Sequence, residues 1–128
     1  MNFVKTRLNE ISNNFLQLAE KSVLEIEKAS EIIISSLKDN GKIMFCGNGG
    51  SASDSQHFTA ELLCRFESER IPIPCIDLTT GNSTLTAVSN DYNYTDIFKR
   101  QVLAFGDPGD LLISLSTSGK SVNVVEAT

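Results

Sequence analysis

Four stretches of this 128-residue chain carry side chains suited to chemistry. The first is Cys46-Gly47-Asn48-Gly49-Gly50-Ser51-Ala52-Ser53-Asp54. Its glycines let the backbone turn tightly and approach a ligand, and a helix starting there would offer free N–H groups and its positive dipole end. An anion or polar ligand fits such a loop. Ser51 and Asp54 also match a capping box, so part of this polarity can serve the helix alone. The second stretch is Ser116-Thr117-Ser118-Gly119-Lys120-Ser121, four hydroxyls around one glycine. Hydroxyl and backbone donors can cradle a phosphate without a basic protein, although an N-cap with ordinary turn serines explains the same residues.

The third stretch is a stripe. Asp54, His57, Glu61 and Arg65 are spaced three, four and four residues apart and share one helical face, beside an apolar face of Phe58, Leu62 and Phe66. His57 is the only histidine. With Glu61 one turn beyond, it can give two metal ligands, or Glu61 can act as a carboxylate base. Two ligands do not close a structural metal site, and a solvated polar stripe is the plain alternative. The fourth stretch is Asn90-Asp91-Tyr92-Asn93-Tyr94, good turn and cap formers whose place beyond a strand can bring Asp91 to a ligand.

Two nucleotide motifs are nearly matched. Gly119-Lys120-Ser121 copies the tail of a P-loop, but its first glycine would fall at Ser114. Gly47-x-Gly49-x-x-Ala52 fits a dinucleotide fingerprint, with Asp77 ending the next strand, yet leaves the second hydroxyl loop unexplained.

The elements that must position these residues follow from hydrophobic period. Val4, Leu8, Ile11, Phe15 and Leu18 form an apolar seam, which predicts a first helix with a core or oligomer face. Ser22 and Glu25 predict the start of a second, running through Ile26, Ala29, Ile33 and Leu37 to a cap at Gly41. Lys42 to Cys46 is nearly all apolar, the pattern of a strand buried on both faces, and a helix is predicted over about 53–66. Pro72 and Pro74 make the start of the next apolar segment, Ile71 to Leu78, an edge or a lead-in, while Cys75 to Leu78 can still be strand. Short helices near 83–89 and 95–105, a turn at Gly106-Asp107-Pro108-Gly109, a strand over 110–114 and a new helix complete the chain. Strand, turn and helix in alternation predict an α/β domain with a parallel sheet and helices on both faces. Ligands of such sheets bind beyond the strands' carboxyl ends, where the first and second stretches lie.

Composition agrees. With 41% hydrophobic and 21% charged residues the chain is globular, of a length for one domain. A net charge of −5 argues against a nucleic-acid partner. No apolar run approaches the roughly 18 residues of a membrane span. Three cysteines without a CxxC pair point to a reducing cytoplasm. Cys46 is expected to be buried.

CGNGGSASDSQHFTAEL, SNDYNYTDIF and SLSTSGKSVNVVEA, in this order and spacing, resemble the sugar isomerase (SIS) family, and within it the bacterial phosphoheptose isomerases. The resemblance implies one SIS domain over 1–128, a flavodoxin-like three-layer sandwich with N-terminal helices over about 2–40 and an α/β core over 41–128. It implies interconversion of sedoheptulose 7-phosphate and D-glycero-D-manno-heptose 7-phosphate, towards lipopolysaccharide heptose, by a cytoplasmic homotetramer joined through the N-terminal helices. Ser116, Thr117, Ser118 and Ser121 match the phosphate loop, and Asn48, Gly49, Gly50 and Ser51 the loop lining the sugar. Asn90 and Asp91 match a substrate-contacting pair. His57 and Glu61 match zinc-binding positions, one ion per subunit, with Glu61 also at the catalytic centre and in contact with substrate. Family members continue with a Gln and a His that complete this set, so the chain is expected to be C-terminally truncated and inactive as it stands. Two other readings compete: a SIS module that binds sugar phosphates or a replication initiator without catalysis, and a dinucleotide-binding oxidoreductase.

Overall fold

A computed structural model of the chain describes residues 2–128. Two compact units are distinguished, with the break between Ser35 and Ser36. Helices α1 (Phe3–Lys21) and α2 (Val23–Lys38) account for the first forty residues as the apolar period predicts. They meet at Ser22, whose N–H donates to the Leu18 carbonyl and whose own carbonyl accepts from Ile26. The α1 seam is exposed along its length, Val4, Leu8, Ile11, Phe15 and Leu18 included, and no residue of that helix is buried.

The second unit runs β1 (Ile43–Gly47), α3 (Gly50–Leu63), β2 (Cys75–Asp77), α4 (Asn82–Asp91), a 3-10 turn (Tyr94–Asp96), α5 (Lys99–Phe105), β3 (Leu111–Leu115) and α6 (Val122–Val125). The sheet is parallel with order β2-β1-β3. β1 is central and wholly buried, as its unbroken apolar run requires. The proline-led β2 is an edge. Met44 and Cys46 of β1 join Leu78, Val88, Ile97, Phe98, Val124 and Ala127 in one core cluster, drawn from α4, α5, α6 and their connections. Phe45, of opposite parity on the strand, stacks on Phe58 of α3 with ring centroids 5.9 Å apart. Helices therefore cover both faces of the sheet.

Three departures from expectation have an identifiable physical reason. The last turn of α2 closes as a Schellman motif: Gly41 N–H reaches the Ser36 carbonyl (2.8 Å) and Asn40 N–H the Leu37 carbonyl (3.3 Å). The left-handed residue is Asn40 (φ 64°), not the predicted Gly41. Gly41 answers to space instead, since a Cβ there would lie 2.7 Å from the Gly109 carbonyl oxygen and 2.9 Å from that of Ser36. Helix α3 starts and ends three residues before its predicted 53–66, because the preceding turn feeds directly into it and Glu67 (φ 57°) reverses the chain after it. The segment predicted as one helix over 95–105 divides into the 3-10 turn and α5.

The amino ends of β1 and β3 are pinned by one ion cluster. Lys42 Nζ donates to both Asp110 and Asp107, and Lys42 and Asp107 backbone N–H groups donate to the Asp110 carboxylate at 2.8 and 2.7 Å. These donors, the Lys42 ammonium first, hold the Asp110 carboxyl down at about 2, below its usual range, and the same pairing raises the Lys42 pKa.

Candidate active site at the carboxyl edge of the sheet

Register determines what meets at the other end. Gly47 pairs with Leu115, so β1 and β3 finish level and their two polar loops emerge side by side. Asn48-Gly49-Gly50-Ser51 closes a tight turn, with Ser51 N–H on the Asn48 carbonyl at 3.0 Å. Gly49 takes φ 56°, ψ −119°, the first central position of a type II′ turn, which glycine alone occupies without strain. The chain then enters α3 at Gly50.

Three side chains lock this turn to the loop beside it. Asn48 and Asn123 exchange amide hydrogen bonds, Nδ2 to Oδ1 in both directions at 2.8 Å, and the Tyr94 hydroxyl donates to Asn48 Oδ1 at 3.0 Å. Asn123 is 3% exposed. Asn48, named by the sequence, thus sits in a network whose other members, Asn123 and Tyr94, the motif reading did not assign. Asn123 is one polar residue within Val122-Asn123-Val124-Val125, and the only available hint was that anomaly in an apolar helix.

The 116–121 loop brings three of its four hydroxyls together. Ser116 Oγ lies 3.2 Å from Ser121 Oγ, to which it donates, and 3.4 Å from Ser118 Oγ. Ser118 Oγ accepts from Lys120 N–H at 3.2 Å, and Gly119 (φ 63°) permits the reversal. Thr117 and Ser118 are exposed. Ser116, Ser118 and Ser121 thus form a small ring of hydroxyls, and the neighbouring Lys120 is exposed.

The His57–Glu61 pair forms on α3, with His57 Nε2 3.2 Å from Glu61 Oε1. His57 is 75% exposed and Glu61 35%, so both are open to a ligand. Arg70 fixes the end of this helix. Its guanidinium donates to the Glu61 carbonyl (2.6 Å), the Leu62 carbonyl (2.8 Å) and its neighbour Ile71 (3.1 Å), satisfying carbonyls that a helix C-terminus leaves open. Among the described residues no group of three or more His, Cys, Asp or Glu side chains could hold a metal. Imidazole and carboxylate one turn apart are ligand types that suit zinc, as two of the four a closed site needs.

Asn90 and Asp91 are exposed at the end of α4, where Asn90 Nδ2 donates to Asp91 Oδ1 at 2.8 Å. The structure gives them no hydrogen bond to either loop. Asp77 is occupied locally: it accepts from Thr79 N–H at 3.0 Å and Thr79 hydroxyl at 2.9 Å, capping the turn after β2. That role accounts for Asp77 without a ribose and weakens the dinucleotide reading. Cys46 is buried, as expected, beside Ser114 Oγ at 3.5 Å, and burial pushes its thiol pKa up. All three cysteines are free.

The family model of the SIS domain matches residues 8–128. This chain belongs to the SIS-domain family. Relatives of the SIS protein include the phosphoheptose isomerases of Aromatoleum aromaticum, 56% identical over 112 residues, and of Shewanella loihica, 54% identical over 112 residues. Each alignment covers 88% of this chain and 57% of the relative. Among solved structures, phosphoheptose isomerase GmhA from Neisseria gonorrhoeae superposes with a TM-score of 0.90 at 40% identity, over 97% of this chain and 64% of that one. A phosphoheptose isomerase from Francisella tularensis gives 0.84 at 39% identity, over 94% and 67%. The SIS chain therefore spans about three-fifths of the length of the curated relatives it matches. The parallel sheet with helices on both faces agrees with the α/β SIS domain expected from the resemblance.

Proposed function

We propose that this protein is an aldose–ketose isomerase of phosphorylated heptose, interconverting sedoheptulose 7-phosphate and D-glycero-D-manno-heptose 7-phosphate. One observation carries the reading: the glycine turn leading to the His57–Glu61 helix and the hydroxyl ring of 116–121 emerge level from paired strands. A ligand with a phosphate at one end and a reacting carbonyl at the other suits such a pair of loops. Relatives about 55% identical that carry the phosphoheptose isomerase name support the substrate class.

In this mechanism Ser116, Thr117, Ser118 and Ser121 hold the phosphate, remote from the chemistry, so that its binding energy positions the reacting carbons. Asn48, Gly49, Gly50 and Ser51 line the sugar, with Asn90 and Asp91 as further substrate contacts. The Glu61 carboxylate removes the proton from the hydroxyl-bearing carbon next to the carbonyl and returns it to the former carbonyl carbon. The hydroxyl proton of the first carbon is lost to solvent and the former carbonyl oxygen takes one up, so that the carbonyl moves by one carbon. His57 and Glu61 would supply two ligands to a zinc ion, which polarises a carbonyl oxygen when bound. The reaction belongs in the cytoplasm, on the way to lipopolysaccharide heptose, and the exposed α1 seam is proposed to join a homotetramer.

The test uses the full-length gene product with sedoheptulose 7-phosphate. Glu61→Gln is expected to lower kcat by about 100-fold or more, the usual range for losing a general base, and near-normal turnover refutes that role. His57→Ala is expected to lower the zinc retained per subunit, read by elemental analysis. Sugar phosphate bound but never converted, with zinc supplied, would favour the non-catalytic SIS module.

A further inference from the structure

Asn123 is an expensive residue for a core helix. A buried amide costs stability unless its hydrogen bonds are made, and an apolar side chain of similar shape would suit the surrounding cluster. Its observed partner is Asn48, on a different loop and 75 positions earlier in sequence. Counting the Asn48 amide completes the picture. It has two N–H donors and an oxygen with two lone pairs. Asn123 and Tyr94 fill both lone pairs, and one N–H goes to Asn123. One donor is left. Asn48 is half-buried, at the mouth of the turn, with its amide orientation held by two partners.

Asn123 also lies two residues beyond Ser121, the last hydroxyl of the neighbouring ring. The amide pair thus ties the turn after β1 to the loop after β3. Tyr94 brings in the segment after α4 as a third tether.

We propose that Asn123 and Tyr94 are positioning residues that hold Asn48 with a single free N–H donor towards an oxygen of the ligand and set the spacing between the sugar turn and the hydroxyl ring. This rests on the reading of the site as one for a sugar phosphate. Neither residue touches the reacting atoms; both act through Asn48. They differ from residues that merely keep the fold, because their effect must vanish once the Asn48 amide is gone.

A double-mutant cycle on the full-length protein measures that. Asn123→Ala is expected to lower kcat/KM for sedoheptulose 7-phosphate by about 10- to 100-fold, the scale of a small misplacement in a site. Tyr94→Phe, which loses one neutral hydrogen bond at an exposed position, is expected to lower it by about 3- to 10-fold. Added to Asn48→Ala, either change should have almost no further effect. The Tyr94→Phe cycle stands by itself if Asn123→Ala does not fold. Inorganic phosphate, as a competitive inhibitor, reads the hydroxyl ring alone, and its inhibition constant should stay within about twofold in Tyr94→Phe. Additive losses in the cycle, or phosphate inhibition weakened in step with kcat/KM, overturn the proposal while leaving the isomerase reading intact. A wild-type protein that neither binds nor converts the sugar phosphate overturns both.

Discussion

From the end of β1 the chain has three glycines in four positions, Gly47, Gly49 and Gly50, and alanine at each acts for a different physical reason. At Gly47 the obstacle is space. A Cβ there would stand 2.8 Å from Ser51 Cβ and carbonyl oxygen and 2.9 Å from its carbonyl carbon, atoms that cannot move without opening the turn. Such overpacking typically costs about 1–3 kcal/mol. At Gly49 nothing lies within 4 Å of a Cβ, but φ 56° with ψ −119° is a conformation that L-residues avoid, again at about 1–3 kcal/mol. At Gly50 there is neither a close neighbour nor a positive φ, and the position opens α3. Alanine should stabilise there by roughly 0.4–1 kcal/mol, through the unfolded chain. Urea unfolding of the full-length protein, followed by circular dichroism, reads all three. With a slope of about 1–3 kcal/mol per molar, Gly47→Ala and Gly49→Ala should lower the midpoint by roughly 0.5–2 M without changing the slope, while Gly50→Ala raises it slightly. The reasoning fails if Gly47→Ala matches wild type, or if Gly50→Ala is as damaging as the other two. Activity should separate from stability in one case: Gly50→Ala adds a methyl group to a surface assigned to the sugar, and is expected to raise KM in a protein at least as stable as wild type.

Two further outcomes follow from the charged clusters. Because the folded Asp110 carboxyl sits at about 2, below its unfolded value, it contributes stability above about pH 4 that is lost as pH falls towards 2. Asp110→Asn should be less stable at pH 7 and lose less on acidification, and equal slopes of stability between pH 4 and pH 2 would contradict this assignment. Arg70→Ala removes the side-chain donor from the Glu61 carbonyl and leaves the Leu62 carbonyl with Ile73 N–H alone, and should cost about 1–2 kcal/mol, with Arg70→Lys recovering only part because a lysine cannot span two carbonyls with one planar fork. Urea midpoints at neutral pH check this, and full recovery by lysine would show that charge alone matters.

Much of the local geometry of the candidate site is legible in the sequence because its signals are local. A glycine-rich run after an apolar strand has few backbone solutions, so the turn at Asn48–Ser51 and the helix behind it follow from residue type and order. The His57–Glu61 contact is likewise a consequence of helical pitch, and the clustering of Ser116, Ser118 and Ser121 around Gly119 needs only a tight loop. The prolines before Cys75 keep β2 from starting earlier for an equally local reason.

What lay beyond the sequence depends on chain segments meeting from far apart. That β1 and β3 finish level, and so present the two loops together, is a matter of register between strands 68 positions apart, which no local spacing encodes. The amide pair of Asn48 and Asn123 exists only because of that register, and Tyr94 reaches it only because the segment after α4 packs beside α6. Asn40 and Gly41 show the same division at smaller scale. Their neighbourhood predicted a helix end, but the residue type at position 41 is also restricted by the Gly109 carbonyl, 68 residues away, which with Ser36 leaves no room for a Cβ there. Residue types and short spacings determined which groups are available for chemistry. Long-range packing decided which of them face one another, because hydrogen bonds and steric exclusion act on distance in space rather than position along the chain.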